Sequence, residues 1–284
     1  FFVRTTILHG DETQYMMIAQ SLVQDGDIDL SNTSEASVLE FHELPNVYPR
    51  RAPASPPGVT HPTHPIGLGL ILVPAYWLGS SIDHPRLLCA LLASITGVLV
   101  LFFVHRWLIG LDFTAAGVLI TTIGAGFSPL LFLYSNQLYP GIFAVAGALA
   151  VLVVLTGPVR KGCAKVFLSS LVVIALPMLH PRLLPLAGFL GVGIVLRIRS
   201  TPHPLFVAKG VAAMAAIGLA GHVLYHNHYS GDIWGPFKPG NAWEANVIDF
   251  GDLPMALCGQ WLDAKIGLLN NSPIYVATLV GVVA

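Results

Sequence analysis

Apolar residues fall in long blocks along this chain, and the blocks come in two lengths. Runs at 87–104, 113–134, 139–157 and 205–225 are long enough to cross a bilayer as helices. Shorter runs lie at 65–79, 164–179 and 183–196. A different pattern follows Glu12. Tyr15, Met16, Ala19, Leu22 and Val23 recur at helical spacing, with Gln14, Gln20, Ser21 and Gln24 on the other side. This predicts an amphipathic helix lying on the membrane surface, opened by Asp11 and Glu12 and stopped by Asp25-Gly26.

Composition sets the class. The 284 residues are 54% hydrophobic and 10% charged, against roughly 25% charged in soluble domains. With a mean hydropathy of +0.71, the chain reads as an all-α polytopic membrane protein. A net charge of -1 with no Lys/Arg cluster gives no reason to expect nucleic acid. The three cysteines, Cys89, Cys163 and Cys258, form no CxxC pair and imply no disulfide or zinc framework.

Basic residues orient the spans, because cytoplasmic loops retain Lys and Arg. Arg106, then Arg160, Lys161 and Lys165, then Arg197, Arg199 and Lys209 occupy three loops that hold only one acid, Asp112. With those loops inside, residue 87 lies outside. Segment 65–79 is short and contains Pro65, Gly67, Gly69, Pro74 and Gly79, so we expect a juxtamembrane or half-inserted helix. Run 164–196 is basic at both ends and folds as a hairpin with its apex at LHPR, His180 to Arg182. Arms of about 16 residues reach roughly 24 Å, short of a core of about 30 Å. Arg182 is therefore expected below the outer surface, where it needs an anionic partner. The expected organisation is the end of a truncated first span over 1–8 and a first extracytoplasmic loop with juxtamembrane helices over 9–86. A bundle of about six spans follows over 87–225, then an outer loop over 226–267 and the start of a truncated span over 268–284.

This arrangement gathers polar groups at one membrane face. Helix capping accounts for Asp11 and Glu12 as readily as catalysis does. Arg182 suits a phosphate, which guanidinium holds bidentately, and also suits a snorkelling anchor. His180 is a phosphate donor or a packed helix-end residue. In YSNQLYP, Asn136, Gln137 and Tyr139 can bond sugar hydroxyls, or form an ordinary interfacial turn. His61 and His64 in HPTHP have no standard metal spacing, so a structural or sugar-contacting role is expected, with a divalent metal kept as a lesser option. DGDIDL alternates acids but lacks the Gly and Glu of a calcium loop, and reads as a turn into a short strand. In the 226–267 loop, Trp234, Trp243 and Trp261 suit sugar stacking and interfacial anchoring equally.

Five pieces are spread over most of the chain: GDETQYMMIAQSLVQDGDIDL, THPIGLGLILVPAYWLG, FSPLLFLYSNQLYP, LPMLHPR and GLLNNSPIYV. Together they resemble the GT-C superfamily of membrane glycosyltransferases, above all bacterial relatives of protein mannosyltransferases and aminoarabinose transferases. The resemblance implies a GT-C-like bundle in the bacterial inner membrane, with the active site facing outward. It implies transfer of a sugar from a polyprenyl-phosphate donor to a hydroxyl on a lipid, glycan or protein acceptor. It assigns the general base to Asp11, with Glu12 as the second choice, and calls for no cofactor. Related enzymes often carry an acid at the second outer loop; here 134–140 has none. Attack on a phosphate-linked anomeric carbon implies inversion. The rivals are a lipid-linked-sugar flippase without chemistry and a metal-dependent membrane hydrolase.

Overall fold

A computed structural model describes residues 11–32, 55, 57–157 and 163–230. Expectations for 1–10, for 33–54, for Arg160 and Lys161, for the loop beyond residue 230 and for the last span lie outside the described residues. Among the described residues there is no strand, and nine helices and two short 3₁₀ turns follow one another. Three helical stretches, Pro85–Gly110, Pro181–Ile198 and Pro204–Tyr229, are long and apolar enough to cross a membrane. Four shorter apolar helices accompany them, which differs from a bundle of about six full spans.

Helix α1 (Glu12–Gln24) is buried on every side from Glu12 to Ser21, including Gln14, Gln20 and Ser21. It is covered on its polar side as well as its apolar side, not exposed along one face as the amphipathic pattern implied. Part of its polar side is satisfied locally: Ser21 Oγ donates to Asp27 Oδ1 at 3.0 Å, and Gln20 Nε2 donates to Gln24 Oε1 at 3.1 Å. Asp25 and Gly26 end the helix, with Gly26 at φ 74. DGDIDL then leads into a 3₁₀ turn, Leu30–Asn32, rather than a strand. Asp29 holds this turn to the chain ahead of α2, accepting from the N–H groups of Ser31 and Thr60.

Helix α2 (Ile66–Ser80) is wedged between two neighbours. A Cβ at Gly67 would collide with the Met178 carbonyl, and one at Gly69 with the Ile18 side chain. Residues two apart face nearly opposite sides of a helix, so the glycine pair lets α2 approach α1 on one side and the end of α7 on the other. A tight turn then reverses the chain into α3 (Pro85–Gly110), whose Cys89 sits against Leu72.

The apolar run 113–134 is not one span. It breaks into α4 (Ala115–Gly126) and α5 (Pro129–Tyr134). Pro129 lacks an N–H and forces Ser128 into extended backbone (φ -66, ψ 132). Ser128 then caps α5 by accepting from Leu131 N–H. Helix α6 (Pro140–Thr156) runs alongside the second half of α3, with Val100 packed on Ile142 and Ala146.

Helix α7 (Cys163–Leu179) and helix α8 (Leu184–Ile198) form the expected hairpin, joined by the 3₁₀ turn Pro181–Leu183. At its base Arg197 donates to the Gly157 carbonyl at the end of α6. Helix α9 (Pro204–Ser230) packs on α7 and carries His226 and His228 in its last turns. Residues 226–230 are therefore helical, not the start of an outer loop. The main core joins α1, α2, α3, α6, α7 and α8 through Tyr15, Leu68, Ala93, Val151, Leu176 and Leu190.

Candidate functional site

The start of α1, the approach to α2, the start of α6 and the end of α7 meet at one place. Asp11 is the residue before α1, yet its side chain makes no capping hydrogen bond. Its Oδ1 instead lies 3.2 Å from Nε2 of His64. The other ring nitrogen of His64, Nδ1, is 3.3 Å from Thr63 Oγ1. Both nitrogens are thus engaged, which fixes the ring orientation. Asp11 keeps 43% of its side chain exposed and His64 only 12%. The carboxylate faces open space while its imidazole partner backs it from inside.

Glu12 stands differently. It is buried, and its Oε1 accepts from Leu138 N–H at 2.8 Å, two residues ahead of α6. It ties α1 to the 134–140 loop and leaves the accessible position to Asp11. A carboxylate also suits the positive end of the α6 dipole.

Tyr139 lies beside both acids. The Asp11 backbone hydrogen-bonds its phenol, and the ring meets Tyr134 edge-on at 6.5 Å. Burial, then the charges of Glu12 and Asp11, push the Tyr139 phenol above its ordinary value. Tyr15, one turn after Asp11 on the same helix face, packs edge-on against His64 at 5.2 Å. Burial, then Asp11 and Tyr139, push its phenol up as well. The sequence pattern placed Tyr15 only on the apolar face; its i+4 relation to Asp11 was the available signal.

His180 completes the cluster. Its Nδ1 accepts from Arg182 N–H at 3.1 Å and caps the 3₁₀ turn. Burial, then Arg182 and His64, hold its imidazole below the ordinary value, against an opposing pull from Asp11. His180 is thus within electrostatic reach of Asp11, His64 and Arg182 together. Arg182 itself is exposed. Among the described residues no carboxylate pairs with it.

The remaining expected residues separate. Asn136 turns back, its Nδ2 donating to the Phe132 carbonyl at 2.8 Å as a stop for α5. Gln137 is half-buried, with its N–H bonded to the Tyr134 carbonyl. His61 is buried, and its ring packs edge-on with Tyr229 of α9 at 4.7 Å. The two HPTHP histidines therefore serve different neighbours and do not form a ligand pair. Among the described residues, no three His, Cys, Asp or Glu side chains group as a metal site. No protein-family model, no curated protein and no solved structure matches this chain.

Proposed function

We propose that the chain is a polytopic membrane glycosyltransferase of the GT-C type, taking its sugar from a polyprenyl-phosphate donor. The observation that carries this reading is the Asp11–His64 contact beside His180 and Arg182. A half-exposed carboxylate oriented by an imidazole supports a general base for a hydroxyl nucleophile, and the exposed Arg182, on the turn that follows His180, is the candidate for the phosphate leaving group.

The acceptor hydroxyl attacks the anomeric carbon and forms the new C–O bond. Its proton passes to the Asp11 carboxylate. The bond from the anomeric carbon to the phosphate oxygen breaks on the opposite side, and the anomeric configuration inverts. The departing polyprenyl phosphate carries the negative charge. Arg182 and the N-terminal ends of α1, α2 and α6 favour an anion at this place. His64 holds Asp11 in register, and Glu12 holds α1 against the 134–140 loop. Large apolar side chains that face outward, such as Trp77, Phe189 and Ile217, suit a lipid surround. In this reading the cluster opens to the extracytoplasmic face of the inner membrane.

The test is transfer of labelled sugar from a polyprenyl-phosphate donor by the full chain in membranes, with Asp11→Asn beside it. Transfer by the wild type and its loss in Asp11→Asn support the reading. Full activity in Asp11→Asn, or no transfer from any polyprenyl-phosphate sugar, overturns it.

A further inference from the structure

A second set of side chains lies on α9, away from the acids. Helices α7 and α9 run side by side in the same direction. Gly210 faces Phe167, and Gly218 faces Ile174 so closely that a Cβ would clash. His222 and Met178 each come one turn after that contact, at i+4. Nδ1 of His222 lies 3.4 Å from Sδ of Met178. His226 follows one turn later, its ring centroid 4.3 Å from that of His222. It is 2% exposed, and its Nδ1 has no hydrogen-bond partner among the described residues.

As a hydrogen-bond network this is poor. A thioether is a weak acceptor, and a buried imidazole nitrogen without a partner is unfavourable. As a ligand set it is good. Metal–nitrogen and metal–sulfur bonds of about 2.0 and 2.3 Å, at an angle between tetrahedral and trigonal, place N and S about 3.5–3.7 Å apart, a small outward shift from the 3.4 Å contact seen here. Two histidines at i, i+4 on one helix share a face, a spacing that suits joint ligation.

The donors also select the ion. Imidazole, imidazole and thioether are all neutral. The described residues supply no carboxylate or thiolate to complete the group. A dication in this apolar bundle would keep its full charge, and the desolvation penalty grows as the square of charge. Soft thioether sulfur selects soft, monovalent copper. We propose that His222, His226 and Met178 bind one soft monovalent cation of the Cu(I) class between α7 and α9.

The test uses the purified full chain in detergent, titrated anaerobically with Cu(I) against a chromophoric chelator, and with Ag(I) as a redox-inert probe. The wild type is expected to take up a single equivalent. Met178→Leu and His222→Gln are expected to weaken uptake at least about tenfold, the scale of loss seen even for outer partners of a metal. His61→Gln and Asp11→Asn should bind as the wild type does. X-ray absorption on the loaded wild type, which needs no variant to fold, should show sulfur at about 2.3 Å. Uptake unchanged in Met178→Leu, or a coordination shell without sulfur, would overturn the proposal.

Discussion

Asp11 and His64 meet through Oδ1 and Nε2 at 3.2 Å, and this contact takes the Asp11 side chain away from the cap of its own helix. A carboxylate ahead of a helix ordinarily accepts from the first-turn N–H groups. Here it is directed sideways to a ring that is itself held by Thr63.

Asp11→Asn is expected to lower transfer by about 10²–10⁴-fold, the usual contribution of a general base. His64→Ala removes a charge-assisted partner valued at about 1.5–3 kcal/mol, so a loss of roughly tenfold to hundredfold is expected. Initial rates with a polyprenyl-phosphate sugar measure both. Equal rates for wild type and His64→Ala would show that the contact does not orient the base.

Glu12 should behave as a structural residue. Glu12→Ala leaves Leu138 N–H buried without its acceptor, which costs about 1–3 kcal/mol. A lower melting temperature in detergent is expected. Glu12→Gln keeps an acceptor oxygen and should recover most of the loss. A Glu12→Gln protein that is stable but inactive would instead move the chemistry to Glu12.

The glycines of α2 make a contrast with those of α8. Gly67→Ala places a Cβ on the Met178 carbonyl, and the forced shift costs about 1–3 kcal/mol. Gly188 has nothing within 4 Å of where its Cβ would stand. Gly188→Ala should be neutral or stabilising by up to about 1 kcal/mol, the helix-propensity difference. Melting temperatures that fall equally in both variants would contradict the close crossing of α2 and α7.

His180 gives a pH dependence. Its native pKa is lowered by burial, then by Arg182 and His64, so the unfolded chain binds the proton more readily. Stability from this group is full above the ordinary histidine value of about 6.5. It declines as pH falls from there through the depressed native value. His180→Asn retains an acceptor for the Arg182 N–H and should flatten that decline. Melting curves at neutral and mildly acidic pH, wild type against variant, measure the difference. Parallel curves would mean that His180 does not titrate in this environment.

Helix content, the 164–196 hairpin and its turn at His180-Pro181 were legible in the chain. They depend on local signals: apolar runs, basic ends, and proline restricting the residue before it. The break at Ser128-Pro129 carried the same proline signal, but the apolar run on both sides concealed it. The exposed polar face expected of α1 is covered instead, because periodicity reports which residues are apolar, not what covers the polar ones. Gln14, Gln20 and Ser21 could be buried only because neighbouring elements close over them.

By itself the sequence determined a largely helical, apolar chain with its acids near one end and its prolines at helix starts, since these follow from composition and from backbone stereochemistry. Only the tertiary structure decided that Asp11 turns to His64, that Glu12 is sealed against Leu138, and that His61 and His64 part company. The physical reason lies in α2. Gly67 and Gly69 admit a neighbour on each side, and close packing of distant segments then selects one set of side-chain partners that no local pattern contains.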